Sequence, residues 1–246
     1  MPAPTSPRVQ FDHIAIALSR MPDALAFLVG QLGGIPAYGF SSEAFRFGQW
    51  RFRNDARIEI LEPRGENGFL HRFLDQHGPG VHHVTFKVPS LRAACDGAEA
   101  AGYTVLGYDD SDPRWGEAFL HPRQALGIVV QLAQTDGGDF GGGSGGFRAL
   151  PPVADPPPPV SVVGLRTRAH SREGARRQWA EILRGQCEGG STGDLTFCWP
   201  DSPMRLVVEI DPARGEGPVC VELASDRPLS LPSGPHPVLG TAFVQL

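Results

Sequence analysis

Four residues of this chain have types and spacing that could do chemistry together: His13, Glu59, His83 and Gln131. Each sits inside an apolar run (FDHIAIAL, RIEILEP, VHHVTFKV and GIVVQLAQ), where an unpartnered polar group is costly. Two imidazoles, a carboxylate and an amide carbonyl oxygen form the mixed nitrogen and oxygen shell that suits a divalent transition ion with a position left open. One buried histidine is ordinarily a hydrogen-bonded core residue. Four polar residues at matched positions of a repeat point instead to one shared ion.

The matching comes from a duplication. Phe11–Leu18 and Val81–Val88 both alternate with the two-residue period of a half-buried strand. Each leads into an amphipathic helix, over Pro22–Gln31 and Ser90–Ala101. Pro22 suits a first helical turn and Ser90 an N-cap. Glycines end both helices, at Gly33-Gly34 and Gly102. Three strands follow in each copy: Ala37–Phe40, Ala44–Phe52 and Arg57–Leu61 in the first, Thr104–Tyr108, Glu117–His121 and Gly127–Leu132 in the second. The predicted order is βαβββ twice. The fold class expected is α+β, with paired βαβββ modules forming a curved mixed sheet around a metal cleft. His13 and Glu59 lie on the first and last strands of one copy, His83 and Gln131 on those of the other. Alternation puts His83 rather than His82 in register with His13, so His82 is expected to face the helix layer or solvent and to play no part. His121 falls at a strand end. His71, His77, His170 and His236 fall in loops or helices and receive no role.

After residue 135 the composition changes. Residues 136–159 are Gly-rich and then Pro-rich, which reads as a linker. Beyond it Val162–Ala169, Arg172–Leu183, Leu195–Trp199 and Met204–Ile210 read as a third, degraded copy. Gly217–Ala224 and Leu239–Leu246 read as the ends of a fourth that lacks its helix. The expected division is 1–135 for the metal-binding domain and 160–246 for a shortened, degenerate one. In the latter Leu165 and Cys220 stand near the places of the histidines, while Glu209 and Gln245 stand near those of Glu59 and Gln131. That set makes a poor metal shell. This part is expected to pack on the first domain or to mediate a homodimer.

A net charge of −5 and a single lysine, Lys87, leave no basic stripe for nucleic acid. The arginines Arg46, Arg51, Arg53, Arg57 and Arg64 read as a solvated face, with a phosphate or carboxylate contact as the alternative. No apolar run approaches the roughly 20 residues of a membrane helix, and Met1–Gln10 has no signal-peptide core. Cys95, Cys187, Cys198 and Cys220 are scattered without C-x-x-C pairing. A cytoplasmic protein with a small-molecule substrate, no nucleic-acid partner and no membrane partner is expected.

The strings HIAIAL, RIEILEP, GVHHVTFKV, FLHP and GIVVQLAQ resemble the vicinal oxygen chelate superfamily of glyoxalases, bleomycin resistance proteins and dioxygenases. The nearest likeness is to its methylmalonyl-CoA epimerase-like branch, carried mostly by EILEPRGENGFLHRFLDQHGPGVHHVTFKV. The resemblance covers about Val9–Gln134. It implies His13, Glu59 and His83 as metal ligands and one divalent ion (Co, Ni, Mn, Zn or Fe). Gln131 falls where most members have a glutamate that is both ligand and base. A glutamine can coordinate but cannot take a proton. The catalytic carboxylates implied are therefore Glu59 and, on SSEAFRF, Glu43; a solvated loop carboxylate remains the alternative for Glu43. The function expected is a metal-dependent isomerase, epimerase or lyase. It would act through a metal-stabilised enolate on a small carbonyl or acyl-thioester substrate. The alternatives are an Fe(II)-dependent oxygenase and a non-catalytic binding or resistance protein.

Overall fold

The computed structural model describes residues 8–135, 153–189 and 193–246. The first copy runs through β1 (Gln10–Ala17), a 3-10 turn (Met21–Ala24) leading into α1 (Leu25–Leu28), β2 (Ile35–Ser41), β3 (Phe45–Arg51) and β4 (Arg57–Pro63). A helix, α2 (Phe69–His77), separates it from the second copy: β5 (Gly80–Lys87), α3 (Leu91–Ala100), β6 (Val105–Asp112), β7 (Trp115–Leu120) and β8 (Val129–Thr135). The third copy comprises β9 (Ser161–Ala169), α4 (Arg172–Arg176), β10 (Gln186–Glu188), β11 (Leu195–Cys198) and β12 (Arg205–Ile210). The fourth keeps only β13 (Gly217–Ala224) and β14 (Ala242–Gln245). The βαβββ order is thus present three times and truncated once, in an α+β chain.

The strand orders carry the duplication in their symmetry. The eight-stranded sheet runs β2-β3-β4-β1-β5-β8-β7-β6, so each copy contributes the same four-strand order and the second is its mirror. The six-stranded sheet runs β10-β11-β12-β9-β13-β14, the same order with the two outer strands of the fourth copy missing.

By contacts the chain forms two compact units. Among the described residues, one takes 8–12, 84–135, 168–189 and 193–217; the other takes 13–83, 153–167 and 218–246. In the first unit Phe11 stacks on Phe86 with ring centroids 5.0 Å apart, and Trp199 stands 4.8 Å from Phe86. In the second, β1 and β4 are parallel neighbours with Ile14, Ile16, Ile58 and Ile60 fully buried. Phe27 there meets His236 and Phe243, at 4.3 and 4.7 Å between centroids.

Several expectations need adjustment. The first helix is short: Pro22 sits in its first turn, but that turn is 3-10, and Val29 and Gly30 both donate to Leu25 O. The chain then turns at Gly33, whose φ of +70° favours glycine and whose Cβ position is filled by Pro157 and Pro158 backbone. In the second helix Ser90 caps as expected, accepting from Ala93 N at 3.3 Å. In the third copy Ser171 accepts from Gly174 N, but the helix widens to π-type turns over Arg177–Ile182. Helix α2 was not expected. Its Leu70 seals a cluster with Ala15, Ala17 and Leu61, surrounded by Phe45, Phe47, Phe73 and Leu74. Of the expected linker, 136–152 lie outside the described residues. Its end is tied down: Val160 N donates to Leu32 O, and Arg53 donates to Pro159 O. No helix among the described residues is long and apolar enough to cross a membrane.

Candidate metal centre

The register of β1 on β4 pairs Ala15 with Glu59 and Ala17 with Leu61. Partners in register share a face, so His13, Ala15, Ala17, Glu59 and Leu61 lie on one side and the isoleucines on the other. On β3, Gln49 stands opposite Glu59, with Phe47 and Phe45 next along the same face. Strand alternation thus brings a polar trio onto an otherwise apolar surface. The alanines keep that surface low.

His13, Glu59 and His83 converge there, all within the second unit. One ligand atom from each lies within 4.8 Å of the other two. His13 Nε2 is 3.5 Å from Glu59 Oε2, and His83 Nε2 is 3.9 Å from Glu59 Oε1. All three are buried, at 2%, 5% and 5% relative exposure. An ion about 2.1 Å from each donor would hold neighbours about 3.0 Å apart at a right angle and about 3.4 Å apart at a tetrahedral angle. The two imidazole–carboxylate distances exceed the tetrahedral value by about half an ångström at most, and side-chain rotation would draw the whole trio, within 4.8 Å, onto one ion. The donor set and its spacing therefore fit a divalent ion.

The carboxylate is oriented by a residue that sequence reading passed over. Gln49, also buried, donates from Nε2 to Glu59 Oε2 at 2.8 Å. The two-residue period of FRFGQWR, which sets Gln49 on the face of Phe45 and Phe47, was the available signal.

His82 also departs from expectation. It does meet the helix layer: its ring lies 5.6 Å from that of Phe69 and 4.8 Å from that of Phe73, both on α2. Burial, then the charge of His77, lowers its pKa to about 4. Its Nδ1, however, stands 2.9 Å from His83 Nδ1.

Gln131 belongs to the first unit. It is buried, accepts from Thr85 Oγ1 at 2.6 Å, and donates to Glu117 Oε2 at 2.8 Å. Trp115 donates to the same carboxylate oxygen at 3.0 Å. Glu43 is exposed on the β2–β3 turn, beside Ser42, whose hydroxyl accepts from Ala44 N and Phe45 N. Among the described residues His13–Glu59–His83 is the one group of at least three such donors, and Glu43 is not in it. His121 Nδ1 accepts from Arg123 N in a turn. The arginines are occupied locally: Arg46 pairs with Glu62, Arg51 with Asp55, and Arg53 with Asp226.

In the degenerate copies the counterparts serve packing. Leu165 and Cys220 are buried. Glu209 pairs with Arg168 at 3.0 Å. Gln245 accepts from Leu229 N and donates to Ser225 O and Arg227 O.

Parts of this chain are similar to known proteins. An ethylmalonyl-CoA/methylmalonyl-CoA epimerase from Cereibacter sphaeroides is 35% identical over 87 residues, 33% of this chain and 63% of the epimerase. The match thus spans less than two thirds of that relative. The uncharacterized protein YqjC from Bacillus subtilis is 27% identical over 134 residues, 52% of this chain and 94% of YqjC. A mutant of 4-hydroxymandelate synthase from Streptomyces coelicolor shares the fold with a TM-score of 0.62 at 10% identity, over 90% of this chain and 72% of that one. That extent covers the degenerate copies as well as the first pair. Residues 12–119 match the family model for the Glyoxalase/Bleomycin resistance protein/Dioxygenase superfamily.

Proposed function

We propose that the chain is a divalent-metal-dependent enzyme of the glyoxalase and epimerase type, an isomerase, epimerase or lyase acting on a small carbonyl or acyl-thioester substrate. The observation that carries this reading is the convergence of His13, Glu59 and His83. The epimerase relative supports a 2-alkyl acyl thioester as the substrate class. When bound, the ion would polarise a carbonyl oxygen and stabilise an enolate. The chain's own part is to hold that ion through two imidazoles and one carboxylate, and to move the proton next to the carbonyl. Glu59 is the first base: Gln49 fixes Oε2, so a proton transfer there has a defined direction. Glu43 is the second.

The test is solvent-deuterium exchange at the carbon next to the carbonyl, run with metal-loaded protein over 2-methyl acyl thioesters and hemithioacetals. Exchange is expected, and Glu59→Gln should lower it by about 10²–10⁴-fold while an oxygen ligand remains. No exchange with any substrate removes the enolate reading. One further reading has support of its own, because two histidines and one carboxylate are also the donor set of non-haem Fe(II) oxygenases. Substrate-dependent O₂ uptake by the Fe(II)-loaded protein, without deuterium exchange, would favour it.

A further inference from the structure

We propose that His82 is a positioning residue for the candidate metal centre, holding His83 in the tautomer whose Nε2 carries a lone pair rather than a proton. This rests on the reading of His13, Glu59 and His83 as that centre.

The argument begins with two nitrogens. His82 Nδ1 and His83 Nδ1 are 2.9 Å apart, a hydrogen-bond distance, and the rings meet nearly edge to face, with centroids 5.2 Å apart and planes at 82°. Two N–H groups would collide there and two bare nitrogens would repel. One must donate and the other accept. If His83 donates, its proton is on Nδ1 and its Nε2 presents a lone pair on the side of Glu59. If His82 donates, the proton of neutral His83 is on Nε2, and Nε2 cannot ligate. Only the first arrangement is compatible with metal binding, so His82 must accept through Nδ1.

The fold supplies what that acceptor needs. Phe69 and Phe73, one turn apart on α2, both pack on the half-buried His82 ring, which limits its orientation and gives it apolar neighbours. A neutral imidazole suits such surroundings and can accept; an imidazolium cannot. Helix α2 is anchored for this by Leu70 in the cluster with Ala15, Ala17 and Leu61. Gln49 does the corresponding work for Glu59. The centre thus has one hydrogen-bonded support for its carboxylate and another for one imidazole, from different elements.

Two variants separate support from packing. His82→Phe keeps an aromatic ring between Phe69 and Phe73 but has no acceptor. His82→Asn carries an amide oxygen near the position of Nδ1. The first measurement is the ¹⁵N shift of the His83 ring in metal-free protein. Nδ1–H is expected in the wild type and in His82→Asn, and a shift toward Nε2–H in His82→Phe. The second is Zn(II) affinity by competition with a chromophoric chelator. His82→Phe should bind about 10–100-fold more weakly, and His82→Asn should recover most of the loss. His82→Phe with unchanged affinity and tautomer would overturn the proposal. So would Nε2–H on His83 in the wild type, a result that needs no variant to fold. Failure of the wild type to bind Zn(II) would sink the metal-centre reading, while the tautomer still decides whether His82 sets the His83 proton.

Discussion

Gln49 Nε2 lies 2.8 Å from Glu59 Oε2, and the same oxygen lies 3.5 Å from His13 Nε2. One carboxylate oxygen thus faces a neutral donor on β3 and an imidazole on β1. Replacing Gln49 with Leu keeps the volume and removes the donor. Zn(II) affinity is expected to fall about tenfold, and unfolding in urea should show a loss of about 1–3 kcal/mol from the unsatisfied acceptor. If neither quantity moves, the amide has no orienting role.

His83→Ala and His13→Ala should each abolish stoichiometric binding of a divalent ion, measured by elemental analysis after dialysis. Each removes one of the three donors that converge there. Chelation should lower the thermal midpoint of the wild type and leave both variants unmoved, because a ligand stabilises only a state that binds it. Retention of one equivalent by either variant would place the ion elsewhere.

Gln131→Glu should make stability depend on pH. Gln131 Nε2 donates to Glu117 Oε2 at 2.8 Å, so the substitution sets a second carboxyl against the first. Two carboxylates this close cannot both ionise, and the folded pair holds a proton to higher pH than the unfolded glutamates do. Stability is then fully present below about pH 4 and lost as pH rises through the folded value. Urea unfolding should show a deficit of about 1–3 kcal/mol against wild type at pH 7.5, largely gone near pH 4.5. A deficit independent of pH would show that the two groups do not meet.

His236 should contribute with the opposite sign. Its Nδ1 accepts from Val238 N at 3.2 Å and Leu239 N at 3.3 Å, and its ring packs on Phe27. Burial lowers its pKa from 6.5, and a proton on Nδ1 would remove both hydrogen bonds. The unfolded chain therefore takes up the proton first, and folding stability falls as pH drops below about 6.5. Metal-free protein compared at pH 7.5 and 5.5 should lose more stability as wild type than as His236→Asn. Equal losses would remove His236 from the account.

His13, Glu59 and His83 were legible in sequence because each interrupts an apolar run and the runs recur at nearly constant offset. The βαβββ element order of the first two copies followed from the same period. Gln49 and His82 were not legible as contributors. Gln49 looks like any polar residue on an edge-proximal strand until its register opposite Glu59 is known. Alternation argued against His82, but it fixes only the direction in which a side chain leaves the strand. It does not fix where the rotated ring ends, and here that ring reaches its neighbour. Helix α2 was readable from the apolar spacing of Phe69, Leu70, Phe73 and Leu74, but the repeat has no counterpart for it. The π-type turns after Arg176 left no mark that helical periodicity detects.

The unit that carries His13, Glu59 and His83 is assembled from segments far apart in the chain: 13–83, 153–167 and 218–246 among the described residues. A ribosome adding about 5–20 residues per second releases His83 on the order of ten seconds before β14. Phe27 must wait that long for His236 and Phe243. Nascent chains therefore expose part of this core until β14 has been made, and His13, Glu59 and His83 are all made before the unit around them can close.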